Sequence, residues 1–443
     1  MVNETISAIC TPPGDGGIAV IRISGDDSIK IGNRIFSGDV SSYASHTAHF
    51  GQIISSNGEL IDEVVLLVMH KGRSYTGEET IEIMCHGGRM ITQKIFARTL
   101  EEGAKTAGPG EFTQRAFLNG KLDLTQAEAI CQLISAKNER ALQEATKQLK
   151  GELSIYIKDF QQQLTDIAAI IEAQLDYPEE GLEFTSTEEV VEMLETTRNK
   201  MQKLANTFRD GKIISNNISL CLIGAPNVGK SSVMNALLGK ERSIVTNIAG
   251  TTRDVVSEDL QIGEFSFSIF DTAGIRETNE LIEKEGVKRS RETANEANLI
   301  LIILDITRPI TNDEKILIKE YPSAIIVFNK SDLTKIEHEI DGIKISTKNR
   351  DGIEELKKSI LDKIYFNHSP NDSILITKER HFSALKNAIH YVNTAITAFE
   401  KKEFPELIVI EIKESLKELS QIIGTDITED ILGAIFSKFC VGK

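Results

Sequence analysis

The stretch Gly224-Ala225-Pro226-Asn227-Val228-Gly229-Lys230-Ser231-Ser232 restricts this 443-residue chain more tightly than any other part of it. It matches the G-x-x-x-x-G-K-[ST] phosphate loop, whose glycines let backbone N–H groups face phosphate oxygens while a lysine neutralises β/γ charge and a serine binds Mg²⁺. The apolar run 218–223 before it reads as a strand and the residues after it as a helix, which is the context this chemistry needs. Two more motifs follow, Asp271-Thr272-Ala273-Gly274 and Asn329-Lys330-Ser331-Asp332. A carboxylate at Asp332 accepts from both N1–H and the 2-amino group of guanine, a pattern adenine does not offer. The expected nucleotide is GTP.

Around these motifs apolar runs alternate with helical stretches: 265–270 ends at Asp271, 299–304 is wholly apolar, and 324–328 ends at Asn329. Continuous apolar runs of this kind predict a parallel sheet covered on both faces, with ligands at the strand C-termini. In that frame Val228, Gly229, Lys230, Ser231 and Ser232 cradle the phosphates. Asp271 holds Mg²⁺ through water, and Thr272, Ala273 and the Gly274 N–H lie beside the γ-phosphate. Asn329, Lys330 and Asp332 hold the base, supported by Ser346, Thr347 and Lys348 after the strand 342–345. Gly250-Thr251-Thr252-Arg253-Asp254 lies where small GTPases place switch I, a loop ordered only while the γ-phosphate is bound. Ile275 stands where Ras-like proteins carry the glutamine that orients the attacking water. Isoleucine has no polar atom for this, and Glu277, Glu280 and Glu283 are the nearby carboxylates among which the residues alone do not choose.

The flanks differ in character. Residues 1–118 mix short apolar runs with Gly-rich turns, the pattern of an α+β domain. Thr125-x-x-Glu128 is a capping-box pattern. From there to Asp176 no proline and a single glycine, Gly151, interrupt long-helix sequence with Ile130, Leu133, Ile134, Leu142, Ala145 and Leu149 at helical spacing. Val190, Leu194, Thr197, Met201, Leu204 and Phe208 repeat at three and four, as do Phe382, Leu385, Ile389, Val392, Ile396 and Phe399. The chain therefore reads as multidomain: an α+β N-terminal domain over 1–118, an all-α helical domain from 119–215 and 374–443, and an inserted α/β P-loop GTPase domain over 216–373.

A formal charge of −16 makes the chain a poor stand-alone binder of nucleic acid, because phosphate binding depends on Lys and Arg releasing counterions. If RNA is involved, a partner supplies most of the basic surface. Five scattered cysteines, none spaced as C-x-x-C, indicate neither a disulfide framework nor a zinc site and fit a reducing cytoplasm. No leader and no run near the ~18 apolar residues of a membrane span is expected to export or anchor the chain.

Several segments outside the nucleotide motifs are distinctive: Thr11-Pro12-Pro13-Gly14-Asp15-Gly16-Gly17-Ile18, Tyr75-Thr76-Gly77-Glu78-Glu79, His86-Gly87-Gly88, residues 109–129 from Pro109-Gly110-Glu111-Phe112 onward, and Phe439-Cys440-Val441-Gly442-Lys443. With them the chain resembles the tRNA modification GTPase MnmE (TrmE) family along its whole length. The resemblance implies an N-terminal domain that dimerises and binds 5-formyltetrahydrofolate through Arg22, Glu82, Lys121 and Lys443. In the GTPase domain it implies K⁺ held by Asn227, Thr246, Ile248 and Thr251, and Mg²⁺ held by Ser231 and Thr252. Asn247, Ala249 and Gly250 would line the nucleotide, and Glu283 would orient water as a catalytic group beside Asp271 and Lys230. It further implies a homodimer working with the FAD-dependent partner MnmG (GidA) in a heterotetramer or larger complex, with tRNA bound mainly through that partner. The implied output is an aminomethyl or carboxymethylaminomethyl group at C5 of the wobble uridine, U34, built from a folate-derived one-carbon unit. Cys440 is a candidate functional thiol, although a free cysteine is more often a small buried hydrophobe. Thr347, Asp15 and Val441 depart mildly from the family pattern, where alanine, arginine and isoleucine are usual. The rival reading is a ribosome-assembly or signalling GTPase whose only output is a nucleotide-dependent change of shape.

Overall fold

The computed structural model describes residues 4–176, 186–215, 217–239, 257–271, 294–295, 297–333, 336–367 and 374–443. Its contacts divide the chain into two compact units: Met1–Ile134, Thr146–Gln202 and Ser383–Lys443 form one, Ser135–Ala145 and Lys203–Phe382 the other. Among the described residues, no helix is long and apolar enough to cross a membrane.

The first unit contains a sheet of β1 (Ile6–Ile9), β2 (Gly16–Ser24), β3 (Thr47–Ile54), β4 (Leu60–Met69), β5 (Thr80–Gly87) and β6 (Lys105–Thr106), in the order β3-β4-β5-β2-β1-β6. Strand side chains alternate between faces, and this sheet shows it. Ile21, Ile23, Val64, Leu66, Ile81 and Ile83 point to one face, where Ile31, Ile35 and Ile95 of helices Ser28–Ile35 and Arg89–Glu101 close a buried core. The other face carries Arg22 opposite Glu82, and beside them a row formed by Val20, Met84, Val65 and Phe50 across four strands. Phe50 is 73% exposed.

The helical part of this unit takes in all of Glu152–Asp176 and Pro405–Ile423 and most of Leu124–Ser135, Thr187–Asn206 and Glu379–Glu400. Val190, Leu194, Thr197, Met201, Leu385, Ile389, Val392 and Ile396 are buried at the three-and-four spacing read from the sequence. Two expectations are corrected here. Thr125 does not cap its helix: Asp123 does, its Oδ1 accepting from Gln126 N–H at 3.0 Å while Gln126 Oε1 accepts from Asp123 N–H at 3.0 Å. Thr125 is instead buried in the first turn and bonded to Asp123 and Ser154. The stretch to Asp176 is three helices, with Glu139–Leu149 between the other two. Asn138 accepts from Ala141 N–H to start the middle one, and Gly151, left-handed at φ 85°, ends the run that follows. Ile134 and Leu142 of the apolar pattern are exposed.

The second unit is built on β7 (Ile218–Ile223), β8 (Ser257–Ile262), β9 (Phe265–Asp271), β10 (Leu299–Asp305), β11 (Ile325–Asn329) and β12 (Ile343–Lys344), in the order β12-β11-β10-β7-β9-β8. Both faces are covered. Leu220, Leu222, Phe267, Ile303 and Val327 pack with Val233, Leu356 and Ile360 on one side, and Cys221, Ile223, Ile302, Leu304 and Phe328 pack with Tyr321 on the other. The sheet is not wholly parallel, since β8 runs antiparallel to β9. Its sequence Ser257-Glu258-Asp259-Leu260-Gln261-Ile262 lacks the continuous apolar run that marks a strand buried on both faces, as suits an edge.

Candidate functional site

Strand β7 ends at Ile223, and the chain then makes its phosphate-loop turn before helix Lys230–Leu238. Gly224 lies at φ 152°, and a Cβ there would come within 2.3 Å of the Ile303 carbonyl; at Gly229, φ 95°, it would meet Asn329 Nδ2 at 2.3 Å. Only glycine lets the backbone pass this close. Lys230 curls back over the loop, its Nζ donating to the carbonyls of Gly224 at 2.9 Å and Ala225 at 3.0 Å. Ser231 and Ser232 are exposed in the first turn of the helix, where N–H groups without intrahelical partners favour an anion. Asn227 is exposed with a left-handed backbone, φ 62°, a conformation asparagine tolerates better than most residues.

The base-side residues converge on the same end of the sheet. Asn329, 1% exposed at the end of β11, donates to the Val228 carbonyl at 3.0 Å, and its Oδ1 faces the Thr347 N–H at 3.4 Å. Asp332 accepts from Ser346 Oγ at 2.8 Å. That hydrogen bond, aided by the charge of Lys348, holds the exposed Asp332 carboxyl below the usual carboxylate range. Ser346 also accepts from Asn349 N–H at 3.2 Å, so one hydroxyl organises both the support loop and the carboxylate. Asp271 closes β9 in register with Leu222 of β7, the last strand before the phosphate loop. Thr246, Asn247, Ile248, Ala249, Gly250, Thr251, Thr252, Thr272, Ala273, Gly274, Ile275, Glu277, Glu280 and Glu283 lie outside the described residues.

A second cluster lies in the first unit. Arg22 Nε is 2.7 Å from Glu82 Oε1, with both side chains about five-sixths buried. The guanidinium stands 5.2 Å from the Tyr75 ring centre and 5.3 Å from that of Phe112. The ring of Tyr75 is fixed by its hydroxyl, 2.8 Å from Thr113 Oγ1. Cys10 lies beside this pair. Burial pushes its thiol pKa up, while the charges of Arg22 and Lys443 pull it down. The segment 439–443 reaches the cluster because Phe112 N–H donates to the Lys443 carbonyl at 3.2 Å and Val441 pairs with Pro109. Arg22, Glu82 and Lys443 are thus brought together, whereas Lys121 is exposed and donates to the Gly72 carbonyl at 3.0 Å. Cys440 is exposed rather than a buried hydrophobe. Cys10, Tyr75 and Phe112 were not anticipated as members, although Tyr75 and Phe112 sit inside two of the distinctive sequence segments.

Two family models match the chain: the GTP-binding protein TrmE N-terminus over residues 5–121 and the MnmE helical domain over residues 124–440. A tRNA modification GTPase MnmE of Protochlamydia amoebophila (strain UWE25) is 50% identical over 449 residues, covering 100% of this chain and 98% of that protein. The chain belongs to the MnmE family. Other members are similar over the same span: those of Chlamydia trachomatis serovar L2 and Thermoanaerobacter sp. (strain X514) are each 40% identical across 100% of this chain, covering 99% and 100% of their own lengths. Membership in the MnmE family makes this chain a GTP-binding enzyme, a GTPase. The N-terminal family model spans Arg22, Tyr75, Glu82, Phe112 and Lys121.

Proposed function

We propose that this chain couples GTP hydrolysis to modification of C5 of the wobble uridine, U34, in certain tRNAs. It does so in the cytoplasm as a homodimer, with an FAD-dependent partner of the MnmG (GidA) kind, in a heterotetramer or larger assembly. The group installed is aminomethyl or carboxymethylaminomethyl, and its one-carbon unit comes from a folate such as 5-formyltetrahydrofolate.

The observation behind this reading is the Arg22–Glu82 pair between Tyr75 and Phe112. GTP chemistry has no use for it. A carboxylate at Glu82 suits the 2-amino and N3 edge of a pterin, aromatic rings suit its flat body, and Arg22, Lys121 and Lys443 suit an anionic glutamate tail. A second copy of the chain suits the open sheet face that bears the row of Val20, Met84, Val65 and Phe50. The charge of −16 leaves tRNA contact mainly to the partner.

At the GTPase site, Lys230 is already aimed across the phosphate loop by two carbonyls, a placement that fits a β/γ-phosphate ligand. Ser231 and Thr252 would hold Mg²⁺, with Asp271 contributing through water, and Asn227, Thr246, Ile248 and Thr251 would hold K⁺; bound there, the ions would supply positive charge against the phosphate oxygens. Glu283 orients the attacking water in place of the glutamine that Ile275 replaces.

The test is reconstitution with the flavin partner, tRNA, GTP and a folate labelled at its one-carbon unit, followed by mass analysis of the wobble uridine. Label in the modified base is the expected result. Modification without label makes folate a structural ligand, and no modification at all returns the chain to the rival reading of a conformational switch.

A further inference from the structure

The end of β10 holds an acidic side chain to which the nucleotide motifs assign no role. Asp305 is 9% exposed and pairs in register with Asn329 of β11. Its Oδ2 lies 2.6 Å from Lys330 Nζ, while Oδ1 accepts from Thr307 N–H at 3.0 Å and from Thr307 Oγ1 at 2.7 Å. Burial alone pushes the Asp305 carboxyl pKa up, but the bonds from Lys330 and Thr307 outweigh it and keep the group ionised at neutral pH.

Lys330 is left-handed, φ 68°, a backbone conformation that L residues seldom adopt and that neighbouring contacts must hold. Its carbonyl accepts from Leu333 N–H at 3.0 Å, closing the turn that contains Asp332. The same turn is tied to β10 by Ile306 N–H donating to the Asn329 carbonyl at 3.1 Å. Asp305 is thus the buried anchor, on a neighbouring strand, for the residue whose conformation sets the direction of Asp332.

We propose that Asp305 is a positioning residue for base recognition: by holding the Lys330 ammonium it fixes the turn that aims Asp332 at guanine. The inference rests on the reading of Asp332 as the acceptor for guanine N1–H and the 2-amino group, and the two can be separated. Inosine diphosphate keeps N1–H but lacks the 2-amino group, so the ratio of GDP to IDP affinity reports the aim of Asp332. A general loosening of the fold weakens both nucleotides alike and leaves the ratio in place.

The experiment measures GDP and IDP affinity by fluorescence competition on the full chain, as wild type, Asp305→Asn, Lys330→Ala and the double variant. Asp305→Asn is expected to weaken GDP by about tenfold, the worth of one charge-assisted hydrogen bond. It is also expected to shrink the GDP/IDP ratio and to add nothing once Lys330 is alanine. Thr307→Val, which removes one bond steering Asp305, is expected to move the ratio the same way by less, and it serves if Asp305→Asn folds poorly. A wild-type ratio in Asp305→Asn and Thr307→Val overturns the proposal, as does a full Asp305→Asn effect in the Lys330→Ala background. Equal affinity of the wild-type chain for GDP and IDP overturns the base reading itself.

Discussion

Asn329 Nδ2 donates to the Val228 carbonyl across 3.0 Å, and both residues are 1% exposed. One buried amide thereby joins the loop that faces the base to the loop that faces the phosphates, with Thr347 on its other side. The two halves of the nucleotide site are tied to each other through this side chain.

Asn329→Ala leaves the Val228 carbonyl buried without its donor. The expected cost is about 1–3 kcal/mol of folding stability, the range for an orphaned buried polar group. GTP affinity should fall in parallel. Chemical denaturation and a nucleotide titration check this, and an unchanged denaturation midpoint with weaker GTP binding would show that the bond serves the ligand alone.

Arg22→Ala removes the partner of Glu82 and the cation between two rings. Folate affinity, read by calorimetry, is expected to drop by about tenfold or more, as befits the loss of a charge-assisted bond. Arg22→Lys should not restore it, because a compact ammonium cannot reproduce the planar, stacked guanidinium. GTP affinity should stay where it was.

His70 places Nδ1 2.9 Å from Glu79 Oε2 and Nε2 3.0 Å from the Tyr43 carbonyl. Both neighbours are acceptors, which the doubly protonated ring satisfies. The hydrogen bond to Glu79 is the main cause of a raised His70 pKa, with the Tyr43 carbonyl adding to it and burial and Arg73 opposing. A raised pKa means that the stabilisation is full below the ordinary histidine value near 6.5 and fades as pH climbs through the higher folded value. This clasp closes the neck of the loop bearing Tyr75. NMR titration should place His70 above 6.5, and His70→Gln should flatten the alkaline loss of stability.

Gly442 stands at φ 93°, and a Cβ there would come within 2.6 Å of the Ile9 carbonyl. Gly442→Ala is expected to cost about 1–2 kcal/mol in backbone strain and to lift Lys443 away from Arg22. Folate titration should show the loss while GTP binding persists. Retained folate affinity would remove Lys443 from the site.

For the cation, GTP turnover is expected to be several-fold faster in K⁺ than in Na⁺, with Asn227→Ala erasing the difference. Equal rates in both salts would dispose of the K⁺ assignment.

How much of this was readable in advance depended on the range of the interaction involved. Glycines at 224 and 229, an apolar strand before them and a helix after them are local matters, and the phosphate loop formed where its letters stood. The capping box assigned to Thr125 failed for an equally local reason: Asp123 two residues earlier already starts the helix, accepting from Gln126 N–H while Gln126 reciprocates, so Thr125 falls inside the first turn. A full capping box does form at Thr311 and Glu314, at the start of helix Asn312–Glu320. The break at Gly151 needed a left-handed turn that a permissive glycine allows but does not announce.

The chain's order of residues was enough to establish a GTP site, its motifs and its family, because each depends on spacing within a few residues or on likeness along the whole length. It could not set Arg22 between Tyr75 and Phe112, bring Gly442 to β1, or pair Asp305 with Lys330. Those pairs meet only after strand register and packing have closed loops of tens to hundreds of residues. Their energy comes from burial and charge at contact distance, which linear spacing does not encode.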